Sequence, residues 1–432
     1  MVIISSAGML AAAFQWPAQC GWLVFIFLLP LFYAAHQRSL SFADGCMWGI
    51  IFFSLHWWGL FLVVHEHGSG TWRYAAPVFL TVYAALYAGL WFLLLNRLIR
   101  TAGFFFSCVI STFLYFVVVY RCIFWIFSCC RGYCFALPLL PLAYEPRWLY
   151  ALPWISSYGL LALLIIFSAT VAHFLHTRNL KFLGLAAMSC VPFVVGWVVQ
   201  EVERVPSYVQ SLTYAQPPHK REHPIDCAQA IDNAIQTALA KKPRAKIILM
   251  PESSYPFPLN ENEQALAMWD TNALAGGQTL IIGTHCAQAG NLHNCISCVN
   301  NRRIIQNYVK SNLFWFTEYV PFPWCNFNFF QKLFLKNKKG FSSTENCCAQ
   351  FHILPNLTCT CAICSEFFFR SYSPGSLPLL VVVNDAWFSA AYLQNLMFLC
   401  ARYAALEEQR EIIYIGHTKG VWLGGRAGVA DL

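Results

Sequence analysis

Three residues of types that perform nucleophilic chemistry stand beside apolar or aromatic segments. Glu252 closely follows the apolar run at 245–250, and a carboxylate just past a buried strand lies at the sheet edge where α/β active sites form. Lys310 precedes the aromatic residues 314–316, and an ammonium group in an apolar cleft can be directed at a developing oxyanion. Cys364 needs a neighbouring base or cation to react as a thiolate. Each residue alone is more often an ordinary surface or structural side chain, so the hypothesis depends on all three.

The second half of the chain alternates helical and strand patterns that would position these residues. Apolar residues recur at three- and four-residue steps over 226–241, which predicts an amphipathic helix. Further helices are predicted at 261–275 and 388–409, and strands at 212–216, 245–250, 279–283, 292–300, 377–384 and 411–415. This alternation indicates an α/β domain with covered sheets. Residues 325–362 are rich in Lys and Cys without a clear period, and we expect a long loop or lid there.

The first half of the chain has the composition of a membrane domain. Residues 1–199 contain nine Lys or Arg and three Asp or Glu, whereas residues 200–432 contain nineteen and seventeen. Soluble proteins usually have about 25% charged residues, and this chain has 11%. A helix needs about 20 apolar residues to span a bilayer. We predict a transmembrane domain over 1–200 with about seven helices, at 3–16, 20–36, 45–64, 74–95, 103–128, 152–176 and 182–199.

Basic residues in the short loops predict the orientation of these helices. If the N-terminus is cytoplasmic, the inner loops contain Arg38, then Arg97 and Arg100, then Arg178 and Lys181. The outer loops contain basic residues that are partly balanced by acidic ones. Because Lys and Arg concentrate on the cytoplasmic side, seven crossings place the second half of the chain outside the cytoplasm. Most of the net charge of +8 then belongs to membrane loops, so a nucleic-acid partner is not expected.

The order Glu, Lys, Cys matches the nitrilase superfamily, and the sequence more closely resembles the apolipoprotein N-acyltransferase family. The matching segments are Pro251-Glu252, Lys310 with Glu318-Tyr-Val-Pro eight residues on, Cys364-Ser-Glu366, and the run "NDAWF" at 384–388, together with the aromatic membrane half. The resemblance implies a membrane α-helical bundle plus an α/β domain of the nitrilase-like αββα sandwich type. It implies that this domain lies on the periplasmic side of a bacterial inner membrane.

The resemblance also implies a role for each matching residue. Cys364 would attack an acyl ester of a phospholipid and form a thioester, with Glu252 as general base. Lys310 would stabilise the oxyanion, and Glu318 would hold the Lys. The acyl chain would then pass to the α-amine of the N-terminal diacylglyceryl-cysteine of an apolipoprotein. We expect Glu366, Trp315, Phe316 and Trp387 to contact substrate, and no metal or cofactor to be required.

Some features of the second half differ from the family pattern. The family continues past Gly420 with further strands and a last membrane helix, so the resemblance implies a C-terminally shortened catalytic domain at 201–432. The loop at 311–317 keeps the family's spacing but not its usual residues, and Ser365 replaces a common aromatic residue. Two alternatives therefore stay open. The chain could be a membrane-tethered nitrilase-type amidase, or an inactive member in which the catalytic side chains need not converge.

The cysteines permit two further interpretations. Cys295-x-x-Cys298 and Cys361-x-x-Cys364 could suggest zinc, but the pairs are separated much more widely than in a zinc ribbon. Residues 347, 348, 359 and 361 could form disulfides if the domain lies in an oxidising compartment. The sequence does not specify which of these cysteines pair.

Overall fold

The computed structural model divides into two compact units. The first unit comprises Met1–Glu201 with Phe388–Gln409, and the second comprises Val202–Trp387 with Arg410–Leu432. The structure describes the chain apart from residues 68–71, 123–136, 199–211, 215–222, 273, 275, 314–317, 320–325, 328–339, 344–349, 355–356, 369–374, 389, 425–428 and 432.

The described part of the first unit is helical. Its helices are α1 Val2–Gln15, α2 Pro17–Cys20, α3 Leu28–Gln37, α4 Phe42–His56, α5 Trp58–His67, α6 Trp72–Ala102, α7 Phe104–Cys122, α8 Leu152–Thr177 and α9 Leu180–Val198. The described residues of 1–201 also form short 3-10 turns at Gly21–Phe25, Leu140–Tyr144 and Pro146–Leu149.

Several of these helices have the length and composition of membrane spans. Among the described residues, four segments are long and apolar enough to cross a bilayer, namely Pro17–Gln37, Pro77–Ala102, Leu152–Thr177 and Leu180–Val198. Shorter apolar helices cover Val2–Gln15, Phe42–His56 and Phe104–Val118. Together they fall on the seven apolar segments predicted from sequence. The helical half is therefore that of a membrane protein.

Helices α4 and α6 pack closely because glycines of α4 face small residues of α6. A Cβ added at Gly45 would lie 2.4 Å from the backbone oxygen of Ala88, and one added at Gly49 would lie 2.6 Å from Cα of Ala85. Small residues let helix backbones approach, and van der Waals packing is a main attraction between helices in lipid. These two glycines therefore set the distance between α4 and α6.

A further helix, α13 at Ala391–Glu408, packs within the helical unit. The Tyr392 hydroxyl accepts a hydrogen bond from the Gly59 amide (2.7 Å) and donates one to the His56 carbonyl (3.0 Å). Since α4 ends and α5 begins at this point, these backbone groups need partners outside the helices. The Tyr403 hydroxyl also donates to Ser157 of α8 (2.8 Å). The sequence-based boundary at residue 200 differs here, because it assigns this helix to the catalytic domain.

The second unit contains the strands. They are β1 Leu212–Tyr214, β2 Ile247–Leu249, β3 Tyr255–Pro258, β4 Thr279–Gln288, β5 Asn291–Asn300, β6 Arg303–Val309, β7 Phe351–Leu354, β8 Leu357–Ile363, β9 Leu379–Val382, β10 Ile412–Ile415, β11 Gly420–Leu423 and β12 Val429–Asp431. Its helices are α10 Pro224–Lys241, α11 Glu263–Asn272 and the short α12 Ser365–Phe368.

These strands form two six-stranded sheets. The first has the order β1-β2-β4-β5-β6, with β3 also paired to β4, and the second has the order β12-β11-β10-β9-β8-β7. β2 pairs in parallel with β1 and β4, and β9 pairs in parallel with β8 and β10. Parallel pairs need crossover connections, which is why helices alternate with strands in this half of the sequence.

Alternate residues of β2 point into two different cores. Ile247 and Leu249 pack in a cluster that contains residues of both sheets, such as Trp422 of β11. Ile248 faces the other way and packs in a cluster with Ile231 of α10 and Trp269 of α11. Successive side chains of a strand alternate between faces, and a strand buried on both faces is apolar throughout. The predicted fold class, a membrane helical bundle plus an α/β sandwich, is confirmed.

Part of the segment predicted to be a long loop is sheet. Strands β7 and β8 occupy 351–354 and 357–363, so the loop prediction is wrong for those residues. Strand β8 reads Leu-Thr-Cys-Thr-Cys-Ala-Ile, and its central core positions hold Cys359 and Cys361 instead of the large β-branched or aromatic residues typical of strands. Residues 328–339 and 344–349 of the same segment lie outside the described residues.

A disulfide joins two neighbouring strands of the first sheet. It links Cys286 of β4 to Cys295 of β5. Cys359 and Cys361, which the sequence offered as candidates for a disulfide, are buried in the sandwich core. Residues 347 and 348, also considered, lie outside the described residues. The zinc interpretation loses one of its ligands, because Cys295 is oxidised.

We predict that Gly45→Ala destabilises the helical unit by about 1–3 kcal/mol, the usual range for overpacking. The added methyl group would meet the backbone of α6, which cannot move aside without separating the helices. Thermal unfolding of the full chain in detergent measures the effect. The matched control is Gly8→Ala in α1, where no atom lies within 4 Å of an added Cβ. Equal unfolding temperatures for the two variants would contradict the packing.

Candidate active site

Glu252 lies in a tight turn at the carboxyl end of β2. Pro251 and Glu252 follow the strand, and Ser253 adopts a left-handed backbone conformation with φ of 55°. Gly283 of β4 passes directly against this turn, since a Cβ there would lie 2.4 Å from both the Glu252 Cα and the Pro251 oxygen. Only glycine leaves room for that approach. The neighbouring strand thus fixes where the Glu252 backbone can be.

The Glu252 side chain is 6% exposed and accepts hydrogen bonds at both oxygens. Asn294 of β5 donates to Oε1 (2.8 Å), and the backbone amide of Asn384, just after β9, donates to Oε2 (2.8 Å). The carboxylate therefore receives one donor from each sheet. This arrangement holds it at the ends of the strands, where the sequence predicted it.

Lys310 directly follows β6 and is 1% exposed. Its Nζ lies 2.8 Å from Oε1 of Glu318 and 3.8 Å from Oε1 of Glu252. Asn294 donates to Glu318 (3.1 Å) as well as to Glu252, so it bridges the two carboxylates. A buried ammonium group is tolerated only when it is paired and hydrogen-bonded, and these two carboxylates supply the pairing.

The electrostatic environment shifts the pKa of both charged partners. Burial raises the pKa of Glu252 above its ordinary value, and the nearby Glu318 raises it further, while Lys310 and the two amide donors oppose the shift. Burial lowers the pKa of Lys310, but the charges of Glu318 and Glu252 outweigh burial and raise it overall. Lys310 therefore stays protonated as a fixed positive charge. Glu252 is poised to take a proton at a higher pH than an exposed glutamate.

Cys364 occupies the turn between β8 and α12. Its backbone is left-handed, with φ of 45°, and its amide donates to the Val382 carbonyl of β9 (3.0 Å). A non-glycine residue in this conformation is uncommon and is typical of strained functional turns. The side chain is half-buried.

The Cys364 thiol lies within electrostatic reach of the other three residues. Burial raises its pKa well above the ordinary value, the Glu252 charge raises it further, and Lys310 lowers it. The Asn384 amide, which donates to Glu252, also favours the thiolate. The structure thus brings Glu252, Lys310 and Cys364 together, as the catalytic hypothesis requires.

Glu366 lies in a different position from the one expected for a substrate-binding residue. It is fully buried. Its Oε1 accepts hydrogen bonds from the Ser311 amide, the Ser311 hydroxyl and the Asn312 amide, and its Oε2 accepts from the Tyr308 hydroxyl and the Ile363 amide. With both oxygens occupied by protein donors, Glu366 cannot contact substrate. It instead ties the two residues after Lys310 to the last residue of the strand before Cys364.

The "NDAWF" run contributes through its first two residues. Asn384 donates its amide to Glu252, and Asp385 is 1% exposed and accepts hydrogen bonds from Thr418 (2.6 Å) and from the His417 amide. The side chain of Trp387 is not among the described ones, and residues 315 and 316 lie outside the described residues.

Sequence reasoning missed Asn294 and His417. Asn294 lies within the alternating run of β5, where nothing local distinguishes it from a surface amide. The Nε2 atom of His417 lies 3.0 Å from the Glu252 carbonyl oxygen, across 165 residues of sequence. Only the register of the strands and the β10–β11 turn bring these two side chains to Glu252.

We predict that Glu366→Gln lowers the free energy of unfolding of the sandwich by about 1–3 kcal/mol. The new NH₂ group would face amide and hydroxyl donors, leaving buried groups without acceptors. The measurement is thermal unfolding of the full chain. Glu261→Gln at an exposed position is the matched control. An unchanged unfolding temperature for Glu366→Gln would show that its hydrogen bonds contribute nothing.

The chain is similar to known proteins over part of its length. No family model matches the chain. Over 190 residues it is 28% identical to an apolipoprotein N-acyltransferase of Aquifex aeolicus, a match that covers 43% of this chain and 41% of the relative. Over another match of 190 residues it is 31% identical to an apolipoprotein N-acyltransferase of Allorhizobium ampelinum, covering 40% of this chain and 35% of the relative. The chain thus matches less than half the length of these curated relatives.

Solved structures match about half of the chain. An amidase from Nesterenkonia sp. has a TM-score of 0.36 at 16% identity, covering 51% of this chain and 89% of that one. A carbon-nitrogen hydrolase from Helicobacter pylori G27 has a TM-score of 0.37 at 12% identity, covering 51% of this chain and 84% of that one. The expected family resemblance is confirmed by the sequence relatives: over 190 residues, the chain is similar to proteins named apolipoprotein N-acyltransferase.

Proposed function

We propose that this protein is an apolipoprotein N-acyltransferase. It moves an acyl chain from a phospholipid, through a thioester on Cys364, to the α-amine of the N-terminal diacylglyceryl-cysteine of a lipoprotein. The observation that supports this proposal most directly is the buried cluster of Glu252, Lys310 and Glu318 beside the Cys364 thiol. Two relatives with this name add support. An inactive protein would have no need to keep a charged Lys buried in a cleft between two carboxylates.

In the first half-reaction, the Cys364 sulfur attacks the carbonyl carbon of the phospholipid ester. Glu252 accepts the thiol proton as the carbon–sulfur bond forms, and the carbonyl oxygen becomes an oxyanion that the Lys310 ammonium stabilises. When the carbon–oxygen ester bond breaks, Glu252 returns the proton to the departing lysophospholipid oxygen. The raised pKa of Glu252 suits both steps, because it makes the carboxylate a stronger base and keeps its proton available for the leaving oxygen.

In the second half-reaction, the amine of the diacylglyceryl-cysteine attacks the thioester carbonyl. Glu252 takes a proton from the attacking nitrogen, and Lys310 again faces the oxyanion. The carbon–sulfur bond then breaks, and the proton held by Glu252 returns to the Cys364 sulfur. Glu318 acts throughout by holding the Lys310 ammonium (2.8 Å) in place. The cycle needs no metal or cofactor, because the same four side chains supply base, charge and nucleophile.

The membrane half supports lipid substrates. Both the acyl donor and the acceptor are anchored in a bilayer, and an enzyme whose described residues include four membrane-capable segments shares that surface with them. Confinement to one surface raises the effective concentration of all three partners. We propose that the chain crosses a bacterial inner membrane several times.

We further propose that the catalytic domain lies on the periplasmic side of this membrane. The basic inner loops support that orientation. The Cys286–Cys295 disulfide also supports it, since disulfides persist mainly in oxidising compartments. Aromatic residues 315, 316 and 387 remain our proposed walls for the acyl chain.

We predict that phospholipid acylates the wild-type protein at Cys364 and that Cys364→Ala abolishes the adduct. Intact mass after incubation with phospholipid shows the mass of one acyl chain, and hydroxylamine removes it, because thioesters are cleaved by this reagent. Addition of a diacylglyceryl-cysteine peptide should then discharge the adduct with transfer of the acyl chain to the peptide amine.

Three outcomes of that experiment argue against the proposal. A folded wild-type protein without an adduct would indicate an inactive member of the family. An adduct that persists in Cys364→Ala would place the chemistry elsewhere. An adduct that water discharges as fast as the peptide does would favour the membrane-tethered amidase.

We predict that the rate of acyl-enzyme formation falls with acid at a pH above 4.5, the ordinary value for a glutamate. The base must be ionised, and burial raises the pKa of Glu252, so protonation removes the base at a higher pH than usual. The variant Asn294→Ala lacks a hydrogen-bond donor that favours the ionised form of Glu252. The pH at which the rate falls, the acid limb of the profile, should therefore rise by about one unit. Stopped-flow rates against pH measure both. The control is Asn260→Ala, because this side chain hydrogen-bonds to Ala287 of β4. A downward shift of the acid limb in Asn294→Ala would contradict the assignment of Glu252 as the base.

A further inference from the structure

The backbone of Glu252 needs more support than its side-chain partners provide. The turn places Ser253 in a left-handed conformation, which costs free energy for a residue with a Cβ. The Ser254 hydroxyl donates to the Pro251 carbonyl (2.8 Å), which closes the turn from within. The Glu252 carbonyl takes no part in that hydrogen bond. Whatever binds that carbonyl determines the rotation of the whole peptide, and therefore the direction of the carboxylate.

His417 binds this carbonyl. Its Nε2 lies 3.0 Å from the Glu252 oxygen. A carbonyl oxygen can only accept a hydrogen bond, so the Nε2 atom of His417 carries the proton and donates it. The histidine comes from the turn between β10 and β11 in the second sheet, whereas Glu252 follows β2 in the first. The contact therefore joins the two sheets at the general base.

The turn that presents His417 is itself held rigidly. The His417 amide donates to Oδ1 of Asp385, and the Thr418 hydroxyl donates to Oδ2 (2.6 Å). Gly416 lies so close to this carboxylate that a Cβ there would be 2.6 Å from Oδ2. The Gly416 amide also donates to the Lys419 carbonyl (2.8 Å), which closes the turn. Asp385 is buried and belongs to the same run as Asn384, whose amide donates to the Glu252 carboxylate.

We propose that His417 is a positioning residue for the general base, acting through its hydrogen bond to the Glu252 carbonyl. Asp385 fixes the His417 backbone, His417 fixes the Glu252 backbone, and Asn384 fixes the Glu252 side chain. The base is thus held at three points by one buried cluster. The inference rests on the proposed role of Glu252 as the base for Cys364, and it extends that role to residues that never touch the substrate.

Loss of this support has a defined electrostatic consequence. Among the residues that the structure describes, the charged and titratable groups that face Glu252 are Lys310, Glu318, Cys364 and His417. If the peptide rotates, the carboxylate moves away from its donors Asn294 and Asn384, which favour its ionised form. The base then becomes harder to ionise and less well aligned with the thiol. A general base contributes roughly 10²–10⁴-fold to rate, so partial misalignment should remove about tenfold or more.

The experiment uses the full-length protein in detergent with p-nitrophenyl octanoate as the probe. Cys364 attacks the ester carbon, its proton passes to Glu252, and the carbon–oxygen bond breaks to release p-nitrophenolate, which is measured as a burst. The phenolate leaves without a proton, so the burst reports nucleophile and base without any phospholipid. Burst amplitude counts intact sites, and burst rate reports alignment. The Cys364→Ala protein supplies the background.

The variants are His417→Ala, His417→Gln and a matched His352→Ala. Gln places its amide NH₂ near the position of Nε2 and can donate the same hydrogen bond. His352 is exposed on β7 and serves as the control. We expect His417→Ala to keep the burst amplitude, to lose about tenfold in rate, and to shift the acid limb upward by about one pH unit. His417→Gln should have a burst rate within about threefold of the wild-type rate, and its acid limb should lie at the wild-type pH.

The inference is overturned if His417→Ala keeps both the wild-type rate and limb, or if His417→Gln is as impaired as the alanine variant. It is also overturned if only the amplitude falls, because that result marks loss of folded protein. If the wild-type protein gives no burst above the Cys364→Ala background, both the role of Glu252 as base and the positioning role of His417 are contradicted. If the burst behaves as expected while phospholipid gives no adduct, the acyltransferase proposal fails and the positioning role of His417 stands.

Discussion

The structure of the site depends on one buried positive charge. Lys310 is almost completely shielded from water, and an ammonium group can be buried only where opposite charge and hydrogen bonds replace its hydration. Glu318 and Glu252 provide that charge, and each must then satisfy its own remaining oxygen lone pairs. Asn294 does so for both carboxylates. The end of β6, the turn after β2 and the segment at Glu318 are therefore fixed with respect to one another by a single electrostatic requirement.

A second buried carboxylate links this cluster to the nucleophile. Glu366 accepts donors from the two residues after Lys310 and from the last residue of the strand before Cys364. Because a carboxylate can accept several hydrogen bonds at once, one side chain determines both the exit of β6 and the exit of β8. The left-handed backbone of Cys364 is held between this tie and the Val382 carbonyl. The two sheets meet at their strand ends through polar contacts, while apolar residues such as Trp422 fill the space between them.

The sequence predicts this site as far as local patterns extend. Glu252 stands just past an apolar strand that the sequence predicts, so its placement at a sheet edge follows from alternation and the strand end alone. Cys364 follows β8, which the sequence did not predict, so its placement was found only through the family resemblance. Asn294 and His417 cannot be found that way, since their role depends on which strands become neighbours. Helix α13 was predicted as a helix, and its contacts group it with residues 1–201, which its apolar faces alone do not indicate. Strand β8 was missed because its central core positions are Cys.

The electrostatics of the resting site favour a protonated nucleophile. Burial and the charge of Glu252 both raise the pKa of the Cys364 thiol, and the single charge of Lys310 is already shared by two carboxylates. A free thiolate is therefore disfavoured. In the proposed reaction, the thiol proton moves to Glu252, so one negative charge leaves the carboxylate as another develops on the oxyanion. The charge facing Lys310 then moves without increasing, and the site does not create net charge in apolar surroundings.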